Sequence, residues 1–197
     1  MGKAKRKSSQ PTPGITQFLE PLAALQRLLE HFNNQGVIIG GIAASLLGQP
    51  RLTADLDAVI LLSTEDLPRL ITAAAIQEML PRIPDAELFA RKNRVLLLRH
   101  QASGINVDIS LGVLPFEAEL VARSQLFRFG NLYLRLPTAE DLIILKAVAH
   151  RIKDLADIQS IVVSHPDLDK ERIRFWVEQF GEALDLPELW RDIEKLF

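Results

Sequence analysis

Two aspartates with one residue between them, Asp55 and Asp57, lead into the apolar run Ala58-Val59-Ile60-Leu61-Leu62. Before them the apolar run Val37-Ile38-Ile39 ends in a glycine pair, Gly40-Gly41. Both runs read as short buried strands. Residues two apart on a strand share a face, so the carboxylates stand about 6.6 Å apart along one side of a sheet. Ile42 to Leu47 reads as a short helix, broken by Gly48-Gln49-Pro50. A glycine pair lets the backbone approach a ligand closely, and the helix start beyond it offers unpaired N–H groups to an anion. The stretch therefore joins a phosphate cradle to a pair of carboxylates able to hold a divalent metal. That combination points to chemistry on a nucleoside triphosphate.

Around this stretch the chain alternates helical and extended patterns. Ile15 to Asn33 places Phe18, Leu22, Leu25, Leu28 and Leu29 on one helical face. Ser63 with Asp66 reads as the cap of a helix running to about Leu80, and Asp85 to about Ala90 as a short helix. Val95-Leu98 and Ile105-Leu111 read as a hairpin turning at Ala102-Ser103-Gly104. The second of these strands alternates, with Ile105, Val107, Ile109 and Leu111 on one face and Asn106, Asp108 and Ser110 on the other. Phe116 to Arg123 reads as a helix, and Gln125 to Leu136 as a second hairpin turning at Gly130-Asn131. Thr138 caps a strong helix with Asp141 three residues on. Lys170 to Leu184 and Pro187 to Phe197 read as two further amphipathic helices.

The 197 residues suffice for one sizeable core, and 48% of them are hydrophobic, which argues against a disordered chain. No apolar run is long enough to span a bilayer, and the N-terminus lacks a secretory segment, so the expected location is cytoplasmic. With no cysteine, disulfides and thiolate zinc sites are excluded. The net charge of −2 conceals Lys3, Lys5, Arg6 and Lys7 at the start, ahead of an acidic body. A body of that sign is not a nucleic-acid binder held by charge alone.

The order of an apolar strand, Gly40-Gly41, a short helix and then Asp55-Leu56-Asp57 resembles the DNA polymerase beta-like nucleotidyltransferase superfamily. The run through Arg51, Thr53, Asp55 and Asp57 resembles its minimal, AbiEii/AbiGii toxin-like branch, and Lys146 to Asp157 resembles that branch's second motif. The resemblance implies an α/β (α+β) fold: a mixed-sheet nucleotidyltransferase core flanked by helices, with a helical C-terminal region. The expected divisions are a disordered basic tail at 1–14, the core at 15–136 and the helical region at 137–197. It further implies transfer of a nucleoside monophosphate from an NTP such as ATP to a hydroxyl acceptor, with Mg2+ or Mn2+ as cofactor.

By the same resemblance Asp55, Asp57 and Asp108 hold the metal, Asp108 also serving as base toward the incoming hydroxyl. Gly40 and Gly41 cradle phosphates; Ser45, Arg51, Thr53, Lys146, Arg151 and Lys153 contact the nucleotide, Lys146 also counting as catalytic. Many superfamily members carry Gly-Ser, so the hydroxyl expected at position 41 is missing here while the backbone cradle remains. Residue by residue a plainer reading stands beside each role. The glycines serve a tight turn, Arg51 a surface salt bridge, and Lys146, His150, Lys153 and Asp157 form one solvated stripe on a helix, with Lys153–Asp157 as an i,i+4 pair. The acceptors implied are tRNA, a protein or a small molecule such as an aminoglycoside, and a toxin role would bring a cognate antitoxin. The rival is a non-catalytic nucleotide- or partner-binding module on the same fold.

Overall fold

The computed structural model describes Ser8–Ser9, a two-residue strand (β1), and residues 16–197. The rest of the basic tail expected at 1–14 lies outside the described residues. Helix α1 (Leu19–His31) buries Leu22, Leu25, Leu28 and Leu29 completely, the face its spacing predicts. It delivers the chain to β2 (Gly36–Ile39), which turns directly into α2 (Gly40–Leu47). Strand β3 (Asp55–Ile60) follows, then α3 (Leu67–Ile76), led by a turn in which Ser63 N donates to Asp66 Oδ2 at 3.2 Å.

The helix expected to reach Leu80 stops at Ile76. Glu78 takes a positive φ of 57°, and Met79–Pro81 becomes a short strand, β4. Three residues are too few for a period to be read, and Pro81 is tolerated because the strand lies at the sheet edge. After α4 (Ala86–Asn93), the strands β5 (Val95–His100) and β6 (Asn106–Leu111) form the expected hairpin. The main sheet has the order β2-β3-β6-β5-β4, with β3 and β6 parallel and the other neighbours antiparallel.

The sheet's faces differ because the sequence alternates. Leu56, Ala58, Ile60, Leu96, Leu98, Val107, Ile109 and Leu111 are buried on one. Helix α1 lies over that face: a Cβ placed on Gly36 would meet both Leu29 Cδ2 of α1, at 2.6 Å, and Ile60 Cγ1. The opposite face carries Asp55 and Asp57 of β3 with Asn106, Asp108 and Ser110 of β6. Helix α5 (Pro115–Arg123) covers this face near Val59, since a Cβ on Gly112 would meet Val59 Cγ1 and Glu117 Cβ.

A second hairpin, β7 (Gln125–Phe129) and β8 (Leu132–Leu136), turns at Gly130 and forms a small sheet with β1. Four helices follow: α6 (Ala139–Ala149), α7 (Ile152–Ser164), α8 (Lys170–Leu184) and α9 (Leu189–Glu194). The polar stripe read from Lys146 to Asp157 as one helical face is in fact two helices. His150 ends α6 in the left-handed region at φ 49°, and the backbone N–H of Arg151 is capped by Asp154 Oδ2 at 3.2 Å. The chain therefore folds back, and residues expected side by side come to face one another. No helix among the described residues is long and apolar enough to cross a membrane.

Candidate active site

Parallel pairing of β3 with β6 sets Asp57 directly opposite Asp108 and Asp55 opposite Asn106. Asp55 and Asp57 are half-buried on the face that α1 leaves free. Gly40 is the first residue of the β2–α2 turn and has φ +69°; a Cβ there would run into the Asp57 carboxylate. The glycine lets the turn lie against that carboxylate. Burial, and then the charges of Asp55 and Asp108, push the Asp57 carboxyl above the usual carboxylate range.

At Gly41 the space for a side chain is already taken. A Cβ would sit 2.5 Å from Thr53 Oγ1 and 3.0 Å from Thr53 Cβ. The absence of serine at 41 thus has a local cause, since the Thr53 hydroxyl fills that position from the neighbouring loop. Ser45 faces inward: its hydroxyl, 3% exposed with the rest of the residue, donates to Gly41 O at 2.9 Å. It supports the turn from beneath.

The cationic side of the site is built around buried Lys146 of α6, whose ammonium lies 3.0 Å from Asp154 and 2.8 Å from Asp157 of α7. Arg51 makes a fork to Asp157, Nε to Oδ1 at 2.5 Å and Nη2 to Oδ2 at 2.7 Å. Arg151 does the same to Asp154, at 2.6 and 3.2 Å. Burial alone would raise both carboxyls. Hydrogen bonds from Arg151 and Lys146 to Asp154, and from Arg51 and Lys146 to Asp157, outweigh it and hold both below their usual range. The expected Lys153–Asp157 pair is replaced by this network, because the break at His150 turns Asp157 inward and leaves Lys153 exposed. Three cations over two carboxylates leave the cluster positive.

These parts enclose a cleft of about 200 Å³. Gly40, Gly41, Arg51, Thr53, Asp55, Asp57, Lys146, Arg151 and Lys153 all line it, with Ile39, Leu142 and Leu145 as an apolar floor. Of the metal- and nucleotide-binding residues expected from sequence, Ser45 and Asp108 are outside the lining. Asp108 is instead held by Arg82, which reaches it from just beyond β4; Nη2 meets Oδ2 at 3.1 Å and Nη1 meets Oδ1. Sequence reasoning missed Arg82. It lies between Pro81 and Pro84, just past the residues read as the end of a helix, and a three-residue strand leaves no period to read.

The donor set on β3 is oxygen only and suits a hard divalent cation. Among the described residues no group of three or more His, Asp or Glu side chains is arranged to hold a metal ion, and Asp108's oxygens are both engaged by Arg82. Asp55 and Asp57 are the pair that fits.

A family model described as "Nucleotidyltransferase of unknown function (DUF6036)" matches residues 17–179. The chain belongs to this family. As a nucleotidyltransferase it is an enzyme, and the match spans the glycine turn, the carboxylates and the α6–α7 cluster. No curated protein matches it. Among solved structures it is similar to the solution structure of the antibiotic-resistance factor ANT(2'')-Ia, with a TM-score of 0.56 at 14% identity over 90% of this chain and 96% of that one. It is also similar to an antigenic nucleotidyltransferase-like protein from Paracoccidioides brasiliensis, with a TM-score of 0.53 at 16% identity over 89% and 93%. At such identities the likeness concerns the fold: the five-stranded mixed sheet, its helices and the helical C-terminal region.

Proposed function

We propose that this nucleotidyltransferase moves a nucleoside monophosphate from an NTP to a hydroxyl acceptor, the acceptor oxygen bonding the α-phosphorus as the α–β phosphoanhydride breaks and pyrophosphate leaves, with the triphosphate seated in the cleft over Gly40 and Gly41. One observation carries the reading: the glycine turn, the Asp55–Asp57 pair and a positive rim, nominated separately from sequence, line one cavity. Backbone N–H groups at the start of α2 face the phosphates, and the Thr53 hydroxyl beside Gly41 adds a donor there. Lys153, exposed at the start of α7, neutralises the outer phosphates, and Arg151, though forked to Asp154, keeps an exposed side chain with an Nη1 that the fork leaves free to reach them. Lys146 and Arg51 act at one remove, since their charges are committed to Asp154 and Asp157 and fix the wall that carries Arg151.

Asp55 and Asp57 hold the divalent cation, magnesium or manganese. Such an ion supplies charge neutralisation at the triphosphate and lowers the pKa of a hydroxyl bound beside it. Asp108, in register with Asp57, takes the proton of the acceptor hydroxyl once one of its oxygens is freed from Arg82.

The test is transfer from each alpha-labelled NTP, with magnesium, into total RNA, cell protein and aminoglycosides. Wild type and Asp57→Asn are compared. Label appearing in one pool with wild type alone supports the reading and names the acceptor class. Label in no pool, or equal label with Asp57→Asn, contradicts it.

A further inference from the structure

The cleft lies on one side of the carboxylates only. In the order β2-β3-β6-β5-β4 it sits over β3 and the turn from β2 into α2, so it occupies the β2 side of Asp57. An acceptor that approaches the same carboxylates must come from the other side, across β5 and β4.

Register defines what it meets there. Asp108 is opposite Leu97 and Asn106 is opposite Arg99. Arg99 is in turn opposite Leu80, and Arg82 N donates to Leu97 O at 3.1 Å, continuing the ladder. Directly opposed residues share a face, so two rows run outward from the carboxylates: Asp57, Asp108, Leu97, Arg82 and Asp55, Asn106, Arg99, Leu80. With strands about 4.8 Å apart, Arg99 stands roughly 10 Å from Asp55. This part of the face is uncovered: Arg99 and Leu80 are exposed, and Leu97, Asn106 and Arg82 are half-buried. The Nε of Arg99 donates to Asn106 Oδ1 at 3.1 Å, and Arg99 takes part in no ion pair among the described residues. Arg82 spends its charge on Asp108, whose proton-accepting role in the proposed reaction needs an oxygen freed from that pair. Beyond the three catalytic carboxylates neither row carries an acid.

We infer that this face is the acceptor subsite and that the acceptor is an anion: an alcohol bearing a phosphate close to the hydroxyl that is modified. The inference rests on the nucleotidyl-transfer reading above and adds the acceptor's chemistry to it. Arg99, and Arg82 once released from Asp108, bind the phosphate, while Leu97 and Leu80 give an apolar strip for the rest of the molecule. A polycationic acceptor meets two guanidinium groups at the same place and is opposed by them.

The experiment uses the full chain. Binding of a non-hydrolysable NTP analogue with magnesium is measured first by calorimetry. Onto that complex we titrate glucose 6-phosphate, a 5′-phosphorylated trinucleotide, glucose and a polycationic aminosugar. At least one phosphorylated probe should bind about tenfold or more tightly than the neutral sugar and the polycation, and the two phosphorylated probes tell a small sugar phosphate from a strand end. Arg99→Glu should weaken that binding about tenfold and leave the affinity for the NTP analogue unchanged, with Arg99→Lys restoring most of it. Equal or tighter binding of glucose or the polycation overturns the inference, as does an Arg99→Glu variant that binds the phosphorylated probes like wild type. If wild type does not bind the NTP analogue at all, the underlying reading fails first and takes the inference with it.

Discussion

Single residues set the geometry of the site through steric limits. Gly40 is required twice, for its left-handed φ and for the Asp57 carboxylate against it. Gly40→Ala should cost about 1–2 kcal/mol for the backbone and displace Asp57 as well. The prediction is a modest loss in denaturant stability with a much larger loss of magnesium-dependent nucleotide affinity. Gly41→Ser should lower activity because the new side chain meets Thr53. Steady-state kinetics of Gly41→Ser beside the double variant Gly41→Ser/Thr53→Gly would check this, the double variant recovering part of the loss.

Protonation at Asp57 gives a pH signature. Its carboxyl is raised by burial and by the neighbouring acids, so on the proposed reading a cation competes with a proton there. Magnesium affinity should therefore climb with pH over a window above about 4, the usual carboxylate value, and Asp57→Asn should flatten that climb. Calorimetric titrations at several pH values measure it.

At the scale of elements, the α6–α7 break matters most. It places a buried lysine between two buried carboxylates and ties the β3 entry loop to α7 through Arg51. Lys146→Met removes one of two cations from each of Asp154 and Asp157 while their forks to Arg151 and Arg51 remain, and should destabilise the fold by about 1–3 kcal/mol, read by urea unfolding. The sign of the acid response follows from the same network. Asp154 and Asp157 are lowered in the folded state, so their stabilisation is complete above about 4 and is lost as pH falls through the folded values. Lys146→Met should make that acid loss shallower.

The same element explains what the sequence could and could not tell. Clean alternation in β6 and the capping residues of α3 and α6 made those elements legible. The parity that set Asp108 on the polar face was legible too. The turn at His150 was not, because Lys146, His150, Lys153 and Asp157 keep helical spacing through a residue that leaves the helix. Arg82 was hidden for a different reason: its role comes from an edge strand of three residues, and pairing at that distance leaves no local pattern.

For the molecule as a whole, sheet order does the organising. Placing β3 beside β6 puts the carboxylates mid-sheet, with the cleft and its cations toward β2 and α7 and an uncovered face toward β4. On the proposed reading each substrate has its own side, with the three aspartates between them. The chain's overall charge of −2 says little about this arrangement, because the cations that matter are gathered at the cleft rim and the acids they face are buried.

The most direct test of this account is calorimetric titration of an NTP into wild type and Asp57→Asn, each with and without magnesium. The account predicts binding to wild type that depends on magnesium and weakens tenfold or more in Asp57→Asn, about 1.4 kcal/mol. Equal affinity in the two proteins, or binding indifferent to magnesium, would contradict it.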